Sequence, residues 1–576
     1  MSDARPAVWA PNADRVELVL GAERRPMHRG EGGWWRASAP LPAGTDYAFA
    51  LDRGEPLPDP RSPWQPNGVH GASRIVDHAA FTWADDGWRS PPLRQGVIYE
   101  LHIGTFTPAG TFDAAIERLD HLVTLGVTHL ELMPVAEFSG DRGWGYDGVD
   151  LFAPHHAYGG PDGLKRLVNA AHRSGLAVLL DVVYNHLGPE GNHLARFGPY
   201  FTDRYATPWG DAVNFGERGS REVRRFVIDN ALMWLRDYHL DGLRLDAVHE
   251  MYDVSAMHIL EELSAAARGL EAEVHRPLML TAESDLNDPR FVRSPEVGGY
   301  GLDAVWADDV HHALHVVLTG EAGGYYADFG GLSTLCHALR EPYVYAGDYS
   351  PHRDRIHGRM PHGVPGDRFV ACLQNHDQIG NRAQGERISH LVRRSRSRVG
   401  AALLLTSPYV PLLFAGREWD ASAPFGYFTS HESAELAEAV RQGRRNEFAA
   451  FGWDPDQIPD PQDPETFTAS RLDWSELERE PHATMLAWYR ALLRLRREEP
   501  ALQDGRRDLV RATADEDAGW IRVERGPISL LANLGPDALV LPASGHLVLG
   551  SEPAVQLGAD GLHLPPDSAA ILRADR

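Results

Sequence analysis

Between residues 97 and 419, short apolar runs of strand character alternate with stretches of helical period. The runs are VIYELHIGTF (97–106), VTHLELMPV (127–135), LAVLLDVVYNH (176–186), DGLRLDAV (241–248), PLMLTAES (277–284), LDAVWADD (302–309), RFVACLQNHD (368–377) and VPLLFAGREW (410–419). Between them, FDAAIERLDHLVTLG (112–126) and REVRRFVIDNALMWLRDYH (221–239) are predicted helices, their apolar residues recurring every three to four positions. Runs that are apolar at nearly every position belong to strands covered on both faces, so the alternation predicts a parallel sheet with helices outside. An open doubly wound sheet would share this texture, but eight runs favour a closed barrel.

The flanks are different. AVWAPNADRVELVL (7–20), GGWWRASAP (32–40) and DYAFAL (46–51) alternate like short strands at roughly ten-residue spacing, the pattern of a small β-sandwich. EPLPDPRSPWQPNGVHG (55–71) is too rich in proline for a helix or a central strand. WIRVERG (520–526), ISLLANLG (528–535) and ALVLPASG (538–545) alternate again. The expected fold is therefore α/β: a central (β/α)8 TIM barrel over 91–500, an N-terminal Ig-like β-sandwich over 1–90 and a C-terminal antiparallel β-domain over 501–576. No internal repeat or low-complexity tract interrupts it.

Composition narrows the function. A hydrophobic fraction of 43% with 15 Trp, 18 Tyr and 19 Phe is ample for a large core. The formal charge of −25, from 56 basic and 81 acidic residues, argues against nucleic acid or an anionic membrane as partner and suits a neutral or cationic ligand. No basic-then-apolar leader and no run of membrane-spanning length is present, so a soluble cytoplasmic protein is expected. Cys336 and Cys372 sit in no metal-ligand spacing; two free thiols in a reducing cytoplasm are expected, with a disulfide between them left open. Lys165 is the sole lysine, which removes any Gly-Lys-Ser/Thr phosphate loop and leaves one poor candidate for Schiff-base chemistry.

Polar residues gather at the C-terminal ends of the eight runs: Asn185 and His186, Arg244 and Asp246, Glu283, Asp308 and Asp309, His376 and Asp377. That end carries the active site in a TIM barrel. In DGLRLDAVH (241–249), Arg244 and Asp246 fall on one face of a strand, as a structural ion pair or as a functional one. Three acids at strand ends, Asp246, Glu283 and Asp377, would cost several kcal/mol to bury together unless paired or used. Glycoside hydrolysis uses such a set: a carboxylate nucleophile, a protonated acid for the leaving oxygen, and charge stabilisation for an oxocarbenium-like transition state.

Three further patterns count for less. GWGYDG (143–148) has the glycine spacing of a dinucleotide fingerprint, but Trp144 and Tyr146 fill it and no helix follows, so no cofactor is expected. DDVHHALH (308–315) sets His311, His312 and His315 at helical spacing beside two aspartates; helix-surface or substrate-contacting histidines are the commoner outcome there, and a metal the rarer one. No Gly-x-Ser-x-Gly elbow appears.

DVVYNH (181–186), DGLRLDAVH (241–249), TAESDLND (281–288) and QNHDQIGNR (374–382) resemble, in order, the four signature regions of the α-amylase superfamily. FAGREWDASAPFGYFTSH (414–431) and SRLDW (470–474) resemble more narrowly the malto-oligosyltrehalose trehalohydrolases, over nearly the whole chain. One departure is Arg417, where that family carries an acidic residue before Glu418. The resemblance implies that Asp246 is the nucleophile, Glu283 the general acid/base and Asp377 the transition-state stabiliser. It implies substrate contacts from Tyr146, His186, Arg244, His249, Asp308, Asp309, His311, His312, His376, Gln378 and Asn381. Asn185 matches a calcium ligand of many amylases, but relatives of this narrower kind do without it, so no metal is implied. The implied substrate is maltooligosyl trehalose, cut at the α-1,4 bond beside the trehalose unit, in partnership with a maltooligosyl trehalose synthase. The alternatives are a glycogen branching or debranching enzyme, a plain amylase, or a non-catalytic glucan-binding relative.

Overall fold

The computed structural model describes residues 5–449 and 458–575. Eight strands close into one parallel barrel in chain order: β1 (Ile98–Leu101), β2 (His129–Leu132), β3 (Ala177–Val182), β4 (Gly242–Leu245), β5 (Met279–Ala282), β6 (Ala304–Trp306), β7 (Phe369–Cys372) and β8 (Val410–Phe414), with β8 returning to β1. Each lies inside one of the eight apolar runs. Helices that cover the barrel include α1 (Gly160–Arg173), α2 (Ser220–Asp237), α3 (Ile259–Val274), α4 (Asp308–Thr319), α5 (Arg394–Leu405) and α6 (His482–Glu498). The helix predicted over 112–126 is broken into Phe112–Ile116 and Leu119–Leu125 by a turn at Glu117 and Arg118. Arg118 there lays its guanidinium 4.6 Å from the ring of Trp474.

Two antiparallel sheets form the N-terminal sandwich, and its inward Val8, Leu18, Trp35 and Phe49 are buried. The proline-rich segment contributes only the two-residue strand Pro56–Leu57, at a sheet edge. Beyond residue 510, a five-stranded and a three-stranded antiparallel sheet follow. No helix among the described residues is long and apolar enough to cross a membrane.

The two-residue alternation of the strands orders the barrel interior in layers. Ile98, Leu179, Met279, Trp306, Val370 and Leu412 belong to one apolar cluster that fills the lower barrel. Two residues further along β1, β3 and β5 come Glu100, Asp181 and Thr281, on the same side of each strand. Register partners complete this polar layer: Glu131 lies beside Glu100, and Arg244 lies between Asp181 and Thr281. Outward-facing Leu243 and Leu245 join the large core beneath the helices. Arg244 thus points inward because its neighbours must point out.

At the barrel floor, His172 of α1 bridges two aspartates, Nδ1 to Asp85 and Nε2 to Asp241, each at 2.9 Å, with Trp88 stacked on its ring. This fastens the segment after the sandwich to the barrel. Burial opposes a charge on His172, but the bonds to Asp241 and Asp85 prevail and raise its pKa above the usual 6.5. A raised folded value adds stability that is complete below pH 6.5 and is lost as pH climbs through the folded value. His172→Gln should therefore cost about 3–5 kcal/mol at pH 6, the scale for breaking a buried pair. Thermal midpoints of variant and wild type should draw together as pH rises above 6.5 and through the raised folded-state value; a gap independent of pH would show that the bridge carries no charge.

Candidate active site

The C-terminal mouth of the barrel is organised around Arg244. Its side chain is fully buried, and Nη1 donates to Asp181 Oδ2 and to Asp246 Oδ1, each at 2.7 Å. Nη2 faces Glu283 Oε2 at 3.7 Å, and the guanidinium lies 4.3 Å from the ring of Trp306. Burial works against the charge, but Asp181, Tyr146, Asp246 and Glu283 outweigh it and hold the guanidinium protonated. The acids of β4 and β5 are thus brought to a single cation.

Asp246 has a second support. Asn185, just past the end of β3, donates Nδ2 to Asp246 Oδ2 and to its carbonyl, each at 2.8 Å. Asn185, matched in sequence to a calcium ligand, here holds the candidate nucleophile. One residue on, Ala247 has φ +37°, a left-handed conformation that a side-chain-bearing residue adopts only under tertiary constraint. That turn aims its N–H at Glu283 Oε2, 2.6 Å away. The pKa of Glu283 is raised, first by burial; Arg244 opposes the rise and Asp246 adds to it. A carboxyl group whose hold on its proton is strengthened stands beside a second one bonded to an arginine, a pairing suited to protonating a leaving group.

The third acid, Asp377, opens the short helix His376–Gly380 after β7, and its side chain is 42% exposed to the cleft. His376 beside it is buried. Its Nδ1 bonds Glu100 Oε1 at 2.5 Å, and its Nε2 contacts the Tyr146 hydroxyl at 2.7 Å and faces Asp377 Oδ2 at 3.5 Å. Burial lowers the His376 pKa, but Asp377 and Glu100 together push it up to about 9. Tyr146 also donates to Asp181 Oδ2 at 2.6 Å, and its ring stacks on His376 with centroids 5.2 Å apart. The glycines of GWGYDG serve this loop: Gly145 has φ +102°, and a Cβ there would lie 2.2 Å from the carbonyl of Pro134. No nucleotide explanation is needed for them.

His186 reaches Asn185 Oδ1 through Nδ1 and the Tyr146 carbonyl through Nε2 at 3.0 Å, while Trp209 stacks on its outer face at 4.2 Å. His249 follows β4 closely enough for its charge to act on Glu283. Asp308, at the start of α4, has its pKa raised by burial and then by Glu283 and Asp377, which puts it in the same wall. Asn381 extends Nδ2 towards Asp377 Oδ1 at 3.4 Å.

Four of the residues expected to touch substrate lie buried within the protein. Asp309 is buried, and its Oδ2 accepts from Asn287 Nδ2 and from the backbone of Val344 and Tyr345, so it pins a loop. His311 is buried with Nδ1 on the Leu373 carbonyl and Nε2 near the Tyr326 hydroxyl. Gln378 closes the capping box of its own helix by accepting from Asn375 N. His312 is buried among Tyr325, Tyr326 and Phe329, and its pKa is lowered by burial to about 3. Arg417, just past the end of β8, bonds Asp420 and Ser397 and is buried.

The sequence reading overlooked Glu100, Glu131, Asp181 and Trp209. Both carboxylate oxygens of Glu131 are buried without a hydrogen-bond partner, and burial, then Glu100, raises its pKa, so it stays neutral beneath the site. The signal for Glu100, Glu131 and Asp181 was their alternation within three strands.

A closed parallel barrel whose mouth holds three strand-end acids, two of them at a buried arginine and the third beside a buried histidine, is that of a glycoside hydrolase of the α-amylase superfamily. The model of the α-amylase catalytic domain matches residues 80–203, that of carbohydrate-binding module 48 (isoamylase N-terminal domain) residues 2–64, and a domain of unknown function, DUF3459, residues 505–571. The malto-oligosyltrehalose trehalohydrolase of Arthrobacter ramosus is 52% identical over 574 residues, 99% of each chain. That of Rhizobium sp. (strain M-11) is 49% identical, covering 98% of this chain and 97% of its own. The crystal structure of a putative alpha amylase from Salmonella typhimurium superposes with a TM-score of 0.91 at 40% identity, over 99% of this chain and 97% of that one. The chain belongs to the malto-oligosyltrehalose trehalohydrolase family.

Proposed function

We propose that the protein hydrolyses the α-1,4-glucosidic bond next to the terminal trehalose unit of maltooligosyl trehalose, with retention of configuration. Asp246 attacks the anomeric carbon on the glucan side of that bond while Glu283 protonates the bridging oxygen, and trehalose departs. Glu283, now a carboxylate, takes a proton from water as the water displaces Asp246, and a maltooligosaccharide is released. Asp377 and His376 grip hydroxyls of the distorted sugar, with Arg244, His186 and Tyr146 beside it. The observation that carries this reading is the gathering of Asp246 and Glu283 on Arg244 in a chain that matches a named trehalohydrolase from end to end.

Such a substrate must come from a reaction that converts the reducing end of a glucan into trehalose, the role of a maltooligosyl trehalose synthase. Cys336 and Cys372 are free and buried, which suits work in a reducing cytoplasm. The test is kcat/KM on maltooligosyl trehalose against a maltooligosaccharide of equal length and against glycogen. We expect a preference of at least tenfold for the trehalose-ended chain, about 1.4 kcal/mol of selective transition-state binding. Equal values would point to a plain amylase, and activity at glycogen branch points to a debranching enzyme.

A further inference from the structure

Away from the catalytic mouth, Glu137, His155 and His156 converge on one point. Glu137 ends the two-residue strand Ala136–Glu137, which pairs with Asp150–Pro154; the histidines follow that second strand. Glu137 Oε1 lies 2.6 Å from His156 Nδ1 and 3.1 Å from His155 Nδ1, and all three ligand atoms lie within 4.8 Å of one another. We propose that these three side chains form a site for a divalent transition-metal cation of the zinc type, clamping the base of the loop that presents Trp144 and Tyr146.

Three observations converge on a cation. First, His155 is fully buried, stacked at 3.8 Å on Phe138, and neither of its ring nitrogens makes a hydrogen bond. Its Nδ1 approaches Glu137 Oε1 at ion-pair distance, 3.1 Å, while its Nε2 has no partner at all, and buried polar groups almost always find one. A cation gives its lone pair a partner. Second, Asp150, the cross-strand partner of Glu137, is buried and its Oδ2 also lacks a hydrogen bond, which leaves a further oxygen donor beside the cluster. Third, there is a way in. His156 is 30% exposed at the edge of an open cleft of about 590 Å³, lined also by Arg142, Ser430 and His431.

Two imidazoles and one carboxylate suit Zn²⁺, Co²⁺ or Ni²⁺, whereas Ca²⁺ and Mg²⁺ call for oxygen donors throughout. Tetrahedral zinc would separate its ligand atoms by about 3.3 Å, so the two edges to Glu137, at 2.6 and 3.1 Å, need to open only slightly, with His156 at the rim. The proton now held between His156 and Glu137 passes to solvent as the nitrogen–metal bond forms, and water from the cleft takes the fourth position. The cation would tie the start of the 138–149 loop to the residues that follow its return strand.

The experiment uses the full chain, dialysed against chelator and titrated with Co²⁺ by visible absorption and with Zn²⁺ by equilibrium dialysis. One tight equivalent per chain is expected, with the intense visible bands of Co²⁺ in a low-coordinate nitrogen-containing site. His156→Ala, at the rim, and Glu137→Gln should weaken that equivalent at least tenfold. His431→Ala, lining the same cleft, should keep it; circular dichroism checks that each variant is folded. Absence of the tight equivalent, or binding that survives His156→Ala, would overturn the proposal and leave the cluster an ion pair.

Discussion

Asp246→Asn should lower kcat by at least about 10⁴-fold while leaving the protein folded. The amide matches the carboxylate in shape, and Arg244 retains Asp181 Oδ2 as an acceptor at 2.7 Å. The structural cost is small and specific. Asn185 Nδ2 donates to Asp246 Oδ2 in the wild type, and an amide nitrogen at that position would face it donor to donor. One lost hydrogen bond costs about 1 kcal/mol, a modest fall in Tm. The chemical cost is of another order, because no covalent glycosyl intermediate can form without the carboxylate. Folded protein with more than a tenth of wild-type activity would remove Asp246 from the role of nucleophile.

The second large effect belongs to Glu283. Its pKa is raised, first by burial and further by Asp246, against the pull of Arg244, so the alkaline limb of the pH profile should lie above the ordinary glutamate value of 4.5. Glu283→Gln should cost about 10²–10⁴-fold on maltooligosyl trehalose, the range for a lost general acid. A maltosyl fluoride leaves without protonation, so bond cleavage in the variant should be largely restored on that substrate in a pre-steady-state burst. An equal loss on both substrates would mean that Glu283 positions the sugar and does not protonate it.

The barrel could be read from the chain because its strands are covered on both faces, so each appears as a short continuous apolar run whatever its neighbours are. The acids stood out for the same reason, as charges at the ends of such runs. Residues whose meaning depends on closure did not stand out. Glu100 reaches His376 only because β8 returns to β1, and Glu131 lies beneath the site only because β2 is in register with β1. Trp209 lies in the turn of a hairpin, Phe201–Thr207 with Gly210–Val213, whose fold over His186 no periodicity foretells. The loop bonds of Asp309 follow from helix geometry that the sequence pattern does not display: Asp309 sits one step, about 100°, around α4 from Asp308 and meets the backbone of Val344 and Tyr345.

One time course by proton NMR, with wild-type enzyme and maltooligosyl trehalose, tests the central claim most directly. Two displacements through Asp246 predict free trehalose appearing from the first points, together with a maltooligosaccharide whose new reducing end is α before mutarotation. Early β-anomer would contradict Asp246 as nucleophile, and glucose or maltose forming without free trehalose would contradict the assigned bond.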